Sequence, residues 1–189
     1  MKIKRIFNNK FTYLLIGAFV GFIFNYLLNI KCLEKQDYYA SKIERKNFVL
    51  ELSELMQQRI YNAEVFFWSV RDHNELQTIL TSWDRYHDIT IKWNEKLINT
   101  YLKLDLFFPE RNYSIQFMDS KEKITYRDFL ASIQDEFISV HGDLIKLIKM
   151  TNNNETIDET KSKIIGKKIE KLHVIIANYL QYLADSLKK

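Results

Sequence analysis

Residues 11–30, FTYLLIGAFVGFIFNYLLNI, carry no charged side chain, and this run constrains the chain more than any other feature. At helical rise, twenty residues cover about 30 Å, the thickness of a hydrocarbon core. A cleaved signal peptide has a shorter apolar run, about 7–15 residues, closed by a small-x-small site. Here Ile30-Lys31-Cys32-Leu33 follows, and the first small residue, Ala40, has Tyr38 two places before it. Lys31 also spoils a lipoprotein signal at Cys32, which wants a small residue there. The run therefore reads as an uncleaved signal-anchor, a single transmembrane helix with the lipid bilayer as partner.

Orientation follows from the flanks. Lys2, Lys4, Arg5 and Lys10 precede the run with no acidic residue among them. Positive residues stay cytoplasmic, so a basic tail (1–10) is expected inside and the domain outside. Lys31, Lys35, Lys42, Arg45 and Lys46 follow the run and keep the reverse topology open. Within the run, Gly17, Gly21 and Asn25 recur every fourth residue and share a helix face. Small residues at that spacing let two membrane helices approach, and a buried Asn gains by bonding across them. The plainer alternative is a chance pattern with Asn25 wetted near the interface.

The net charge of +4 resides in that tail: without its four cations, 24 basic side chains face 24 acidic ones. The basic cluster Lys161, Lys163, Lys167, Lys168 and Lys171 is offset by Glu155, Asp158, Glu159 and Glu170. No nucleic-acid partner is expected, because such a binder concentrates positive charge on one surface. Cys32 is the sole cysteine. It could join two chains or carry an acyl group, but an idle thiol is the simpler reading.

Beyond the run, Gly142, Gly166 and Pro109 are the only glycines and proline. So little turn chemistry favours long helices. Apolar periodicity places them at about 34–71, 74–106, 121–150 and 157–187. The first carries Phe48, Val49, Leu52, Leu55, Met56, Ile60, Ala63, Phe66, Phe67 and Val70 on one face. Ile43, Leu50, Tyr61, Val65 and Trp68 form a second apolar stripe, a possible dimer or partner face. The second helix shows Leu76, Ile79, Leu80, Trp83, Thr90, Leu97, Ile98 and Tyr101. The third shows Tyr126, Leu130, Ile133, Phe137, Leu144, Ile145 and Ile148. The fourth shows Ile165, Ile169, Leu172, Ile176, Tyr179, Leu180, Leu183 and Leu187. Asp72 with Glu75, and Thr156 with Glu159, resemble helix starts. FFPERNYSIQFMD reads as a connector. The expected fold class is all-α: the transmembrane helix, then residues 31–189 as an antiparallel four-helix bundle with a long first helix.

Chemistry is sparse. Glu170-x-x-His173 and Asp84-x-x-His87 have the spacing used by di-iron bundles. Their acids fall outside the apolar stripes, so the ligands diverge and no metal or other cofactor is expected. Arg59, His87, Asn94, Gln134 and His141 fall at core phase and suggest a buried polar layer. Its plainer role is a hydrogen-bonded register lock; its sharper role is a switch, since His titrates near neutrality. No catalytic motif is present, so no enzyme activity is assigned. Asn112-Tyr113-Ser114 and Asn154-Glu155-Thr156 fit the glycosylation pattern.

A helical bundle on a signal-anchor resembles, in architecture alone, the sensing halves of bacterial receptors. The tail before the span is too short for an output domain, so a signal would pass through a partner. The leading function is a membrane-tethered interaction module, acting as a homo-oligomer or with another membrane protein. A small-ligand or pH sensor comes second, and a tethered enzyme third.

Overall fold

The computed structural model describes the backbone of residues 2–109, 114–116, 123–153 and 155–188, with side chains at 23, 25–109, 124–153 and 155–188. Four helices dominate: α1 (Lys2–Arg71), α2 (Leu76–Phe107), α3 (Tyr126–Asn152) and α4 (Glu159–Ser186). The chain divides into two compact units, Met1–Glu44 and Arg45–Lys189. Most of the expected span, with Gly17 and Gly21, lies outside the residues whose side chains are described, as do Asn112 and Asn154 of the glycosylation patterns. Among the described residues no helix is long and apolar enough to cross a membrane.

The second unit is a helical bundle. Its apolar periodicity closes into one core, in which Leu52, Met56, Phe66, Leu130, Ile133, Leu144, Leu172 and Leu183 are almost wholly buried. Burying each such side chain contributes about 1.5–3 kcal/mol against the entropy of ordering the chain. Polar pairs between the helices report their direction. Glu51 meets Lys96 at 2.7 Å while Ser69 meets Ser82 at 2.8 Å, so residue number falls on α2 as it rises on α1. The same reversal relates α2 to α3, through Tyr86 with His141 and Trp93 with Gln134. Lys168 with Asp143 and Lys171 with Glu136 repeat it between α3 and α4. Sequential helices in this unit are antiparallel neighbours.

The ends show where sequence and structure part. The connector is not wholly irregular: β1 (Ser114–Gln116) pairs antiparallel with β2 (Lys123–Thr125), Ile115 opposite Ile124. The third helix consequently starts at Tyr126 rather than about 121, capped by Thr125, whose hydroxyl accepts from the Asp128 amide at 3.0 Å. The expected capping box at Thr156 is replaced by Asp158, which accepts from the Thr160 amide at 3.3 Å. Asp72 does not start α2 either; Glu75 precedes it, with no side-chain bond. Instead Asp72–Asn74 close α1. His73 takes a φ of 53° while its amide reaches Val70 O and the Asn74 amide reaches Ser69 O. That is a Schellman ending in which His stands where Gly is usual.

At the far end of the bundle two tyrosines tie α3 to α4. The Tyr179 hydroxyl donates to Tyr126 O, and the Tyr126 hydroxyl donates to Tyr182 O, each at 3.2 Å. Burial holds the Tyr179 phenol protonated well above its usual range.

Candidate functional site

Arg59 lies on the buried stripe of α1 and is 2% exposed. Its Nη1 donates to Gln134 Oε1 at 3.2 Å, and Trp93 Nε1 donates to the same oxygen at 2.7 Å. Both partners are donors, which assigns the carbonyl end of the Gln134 amide to this point. The guanidinium also sits 4.1 Å from the Phe137 ring centroid and 5.3 Å from that of Trp93. Among the described residues no carboxylate pairs with it, and its Nε has no hydrogen-bond partner. Burial drags its pKa from 12.5 to about 10, partly resisted by the nearby Tyr86 hydroxyl. A cation is thus held in the core by a neutral amide, a phenol and ring faces.

The layer continues from Tyr86. Its hydroxyl is 2.9 Å from His141 Nδ1. Trp83 lies nearly parallel to the His141 ring, at 6.4 Å and 11°. Burial lowers the His141 pKa below its usual value, and the charges of Arg59 and His87 lower it further. Burial raises that of Tyr86, with Arg59 opposing. At neutral pH His141 is therefore uncharged, and Nδ1 accepts the phenolic proton.

Of the residues expected in this layer, Arg59 is buried and Gln134 and His141 are half-buried. His87 and Asn94 are exposed, a correction with a simple origin. The buried row of α2 runs through Ile79, Ser82, Tyr86, Ile89, Thr90, Trp93, Thr100, Leu104 and Phe107. His87 and Asn94 follow Tyr86 and Trp93 by one residue, a rotation of about 100° that carries them off the core. Tyr86 and Trp93 are the layer's unforeseen members; each hides a polar tip on a packing side chain.

The residues at the metal spacing do not gather in the core. His173 Nε2 is 3.1 Å from Glu64 Oε2, while Asp84, His87 and Glu170 are exposed. Among the described residues no trio of His, Cys, Asp or Glu could hold a metal ion. Surface grooves among the described residues include two that border α4. One, of about 530 Å³, is floored by Phe67 and Trp68 and edged by Arg71, Lys163, Lys167 and Glu170. The other, of about 520 Å³, lies between Tyr61 on α1 and His173, Ile176 and Leu180 on α4. Neither reaches the Arg59 layer.

The expected partner faces divide. Asn25, Ile43, Leu50 and Tyr61 are exposed, and Val65 and Trp68 are half-buried. Trp68 is covered by its own helix: Arg71 stacks 3.6 Å above its ring, and its Nε1 donates to Glu64 at 3.3 Å. A row unforeseen as exposed appears on α2, where Ile91, Ile98, Leu102 and Leu106 are 43–75% exposed. At about 100° per residue they share the side opposite the buried row. No family model, curated protein or solved structure matches the chain.

Proposed function

We propose that the chain is a membrane-tethered helical assembly module, anchored by residues 11–30 with its bundle outside the cytoplasm, that associates with itself or with another membrane protein. The exposed row Ile91, Ile98, Leu102 and Leu106 carries this reading. Its last three members stack every fourth residue along one ridge, an arrangement that gains from being covered. Leu50 and Tyr61 on α1 add apolar surface. The anchor rests on the uncharged run and its basic flank.

The test is amine crosslinking of the full chain in intact membranes, comparing wild type with Ile98→Glu/Leu102→Glu. Higher-mass species should form in wild type and fall strongly in the variant, with the bundle's melting temperature unchanged. Wild type that remains monomeric at all crosslinker concentrations sinks the reading. An impermeant thiol label on Lys161→Cys, in a Cys32→Ser background, reports the side of the membrane.

A second reading, a pH-responsive bundle, is favoured by the Tyr86–His141 bond beside a buried guanidinium. Protonating His141 turns Nδ1 into a donor, so the Tyr86 hydroxyl must accept there and its proton loses its acceptor.

A further inference from the structure

We infer that the groove between the end of α1 and the start of α4 binds a free amino acid with an apolar side chain. The site lies within one bundle and does not depend on assembly. Ser162 lines this groove and is only 6% exposed. Its amide reaches Asp158 O at 2.9 Å, but its hydroxyl has no hydrogen-bond partner among the described residues. A buried hydroxyl left unpaired carries a cost that a ligand oxygen removes. Gly166, within α4, also lines the groove. Its φ is not positive, and a Cβ built there meets only the Phe67 ring, no nearer than 3.6 Å. Neither backbone nor packing therefore demands glycine, and alanine is the better helix former. What glycine provides here is open space against Phe67.

The charged rim selects the class of ligand. Arg71 pairs with Asp72 at 2.9 Å, and Lys163 with Glu159 at 2.8 Å. Lys167 and Glu170 also edge the groove, and neither forms an ion pair among the described residues. The unsatisfied groups are thus one cation, one anion and one hydroxyl, beside a floor of Phe67, Trp68 and Ile157. A simple carboxylate would be repelled by Glu170, and a simple amine by Lys167. A zwitterion with an apolar body uses every one of these groups. Residues three apart on a helix have Cβ atoms about 5–6 Å apart, so Lys167 and Glu170 can hold the two charges of one head group. The carboxylate takes Lys167 and the Ser162 hydroxyl, toward the positive start of α4. The ammonium takes Glu170, further along the helix, and the side chain lies against Phe67. A groove of about 530 Å³ admits such a ligand whole.

The experiment is titration calorimetry of the full chain in detergent micelles with L-phenylalanine, N-acetyl-L-phenylalanine and L-phenylalaninamide. Phenylalanine should bind one per chain. The acetylated form lacks the ammonium and the amide lacks the carboxylate, so each should bind on the order of tenfold more weakly. Glu170→Gln should weaken phenylalanine by a similar factor yet leave the acetylated form unchanged, because that ligand has no ammonium to lose. Lys167→Gln should do the same for phenylalanine against its amide. Both side chains are exposed, so neither change should move the melting temperature. Gly166→Leu fills the groove and should abolish binding of all three. Equal affinity for the three ligands overturns the inference, as does an acetylated form that binds more tightly than phenylalanine. So does phenylalanine binding that survives Gly166→Leu, or no phenylalanine binding at millimolar concentration. Crosslinking of the chain should be the same with and without phenylalanine, so failure here leaves the assembly reading standing.

Discussion

Replacing Arg59 by Met should leave the bundle as stable or more stable, whereas Arg59→Ala should weaken it. The guanidinium's pKa falls from 12.5 to about 10, chiefly through burial. At about 1.4 kcal/mol per pKa unit, the folded state bears about 3 kcal/mol of penalty for keeping it charged. Against this stand the ring faces of Phe137 and Trp93, worth about 1–2 kcal/mol to a desolvated cation. The bond to Gln134 is replaceable, because Gln134 Oε1 retains the Trp93 indole at 2.7 Å. Tyr86 likewise retains His141. Removing the guanidinium therefore orphans no buried group and eliminates the unpartnered Nε. Met fills the vacated stem with a flexible apolar chain, giving an expected gain of about 1 kcal/mol. Ala removes the same charge but leaves a void beside Phe137 and Trp93, so it should fall about 2–4 kcal/mol below Met. Urea denaturation of the full chain in detergent micelles, followed by tryptophan fluorescence, resolves differences of this size. If Met proves as destabilising as Ala, the guanidinium is a net source of stability and the reasoning fails.

The bundle should lose stability in acid through His141. Its folded pKa lies below the usual value, so between the two the unfolded chain binds the proton more readily. That stability is present above about pH 6.5, is lost as pH falls toward the folded pKa, and changes no further below it; His141→Gln should flatten this limb of a melting-temperature profile from pH 8 to 5. His73→Gly should raise stability by about 1 kcal/mol, because a φ of 53° strains an L side chain and suits Gly. An unchanged urea midpoint would show that the His73 side chain offsets its own strain.

The buried side of α1 was legible because ten apolar residues between Phe48 and Val70 agree on one phase. On α2 the apparent apolar stripe lies about one residue out of register, because exposed apolar residues contaminate the pattern. Leu76 and Ile98 entered the inferred stripe yet are 54% and 75% exposed. Tyr86 and Trp93 are the true centre, and His87 and Asn94 stand one residue off it. The hairpin is not legible in the sequence because its strands have three residues each, too few for alternation to register. Thr125 followed by Asp128 did carry a readable helix start, but the apolar pattern drew the boundary earlier. The hydrogen bonds of the Arg59 layer join residues tens of positions apart and depend on interhelix register, which periodicity within one helix does not encode.

The reciprocal tyrosine bonds limit how the bundle could convey a signal. Tyr126 and Tyr179 each reach the backbone across the α3–α4 seam, so together they act as a double bolt. A slide of half a helical turn, about 2.7 Å, pulls both hydroxyls out of bonding range. Piston motion of α4 along α3 is therefore closed to this domain unless both bolts release together. Small rotations about the seam keep the contacts in reach and are the cheaper mode of movement.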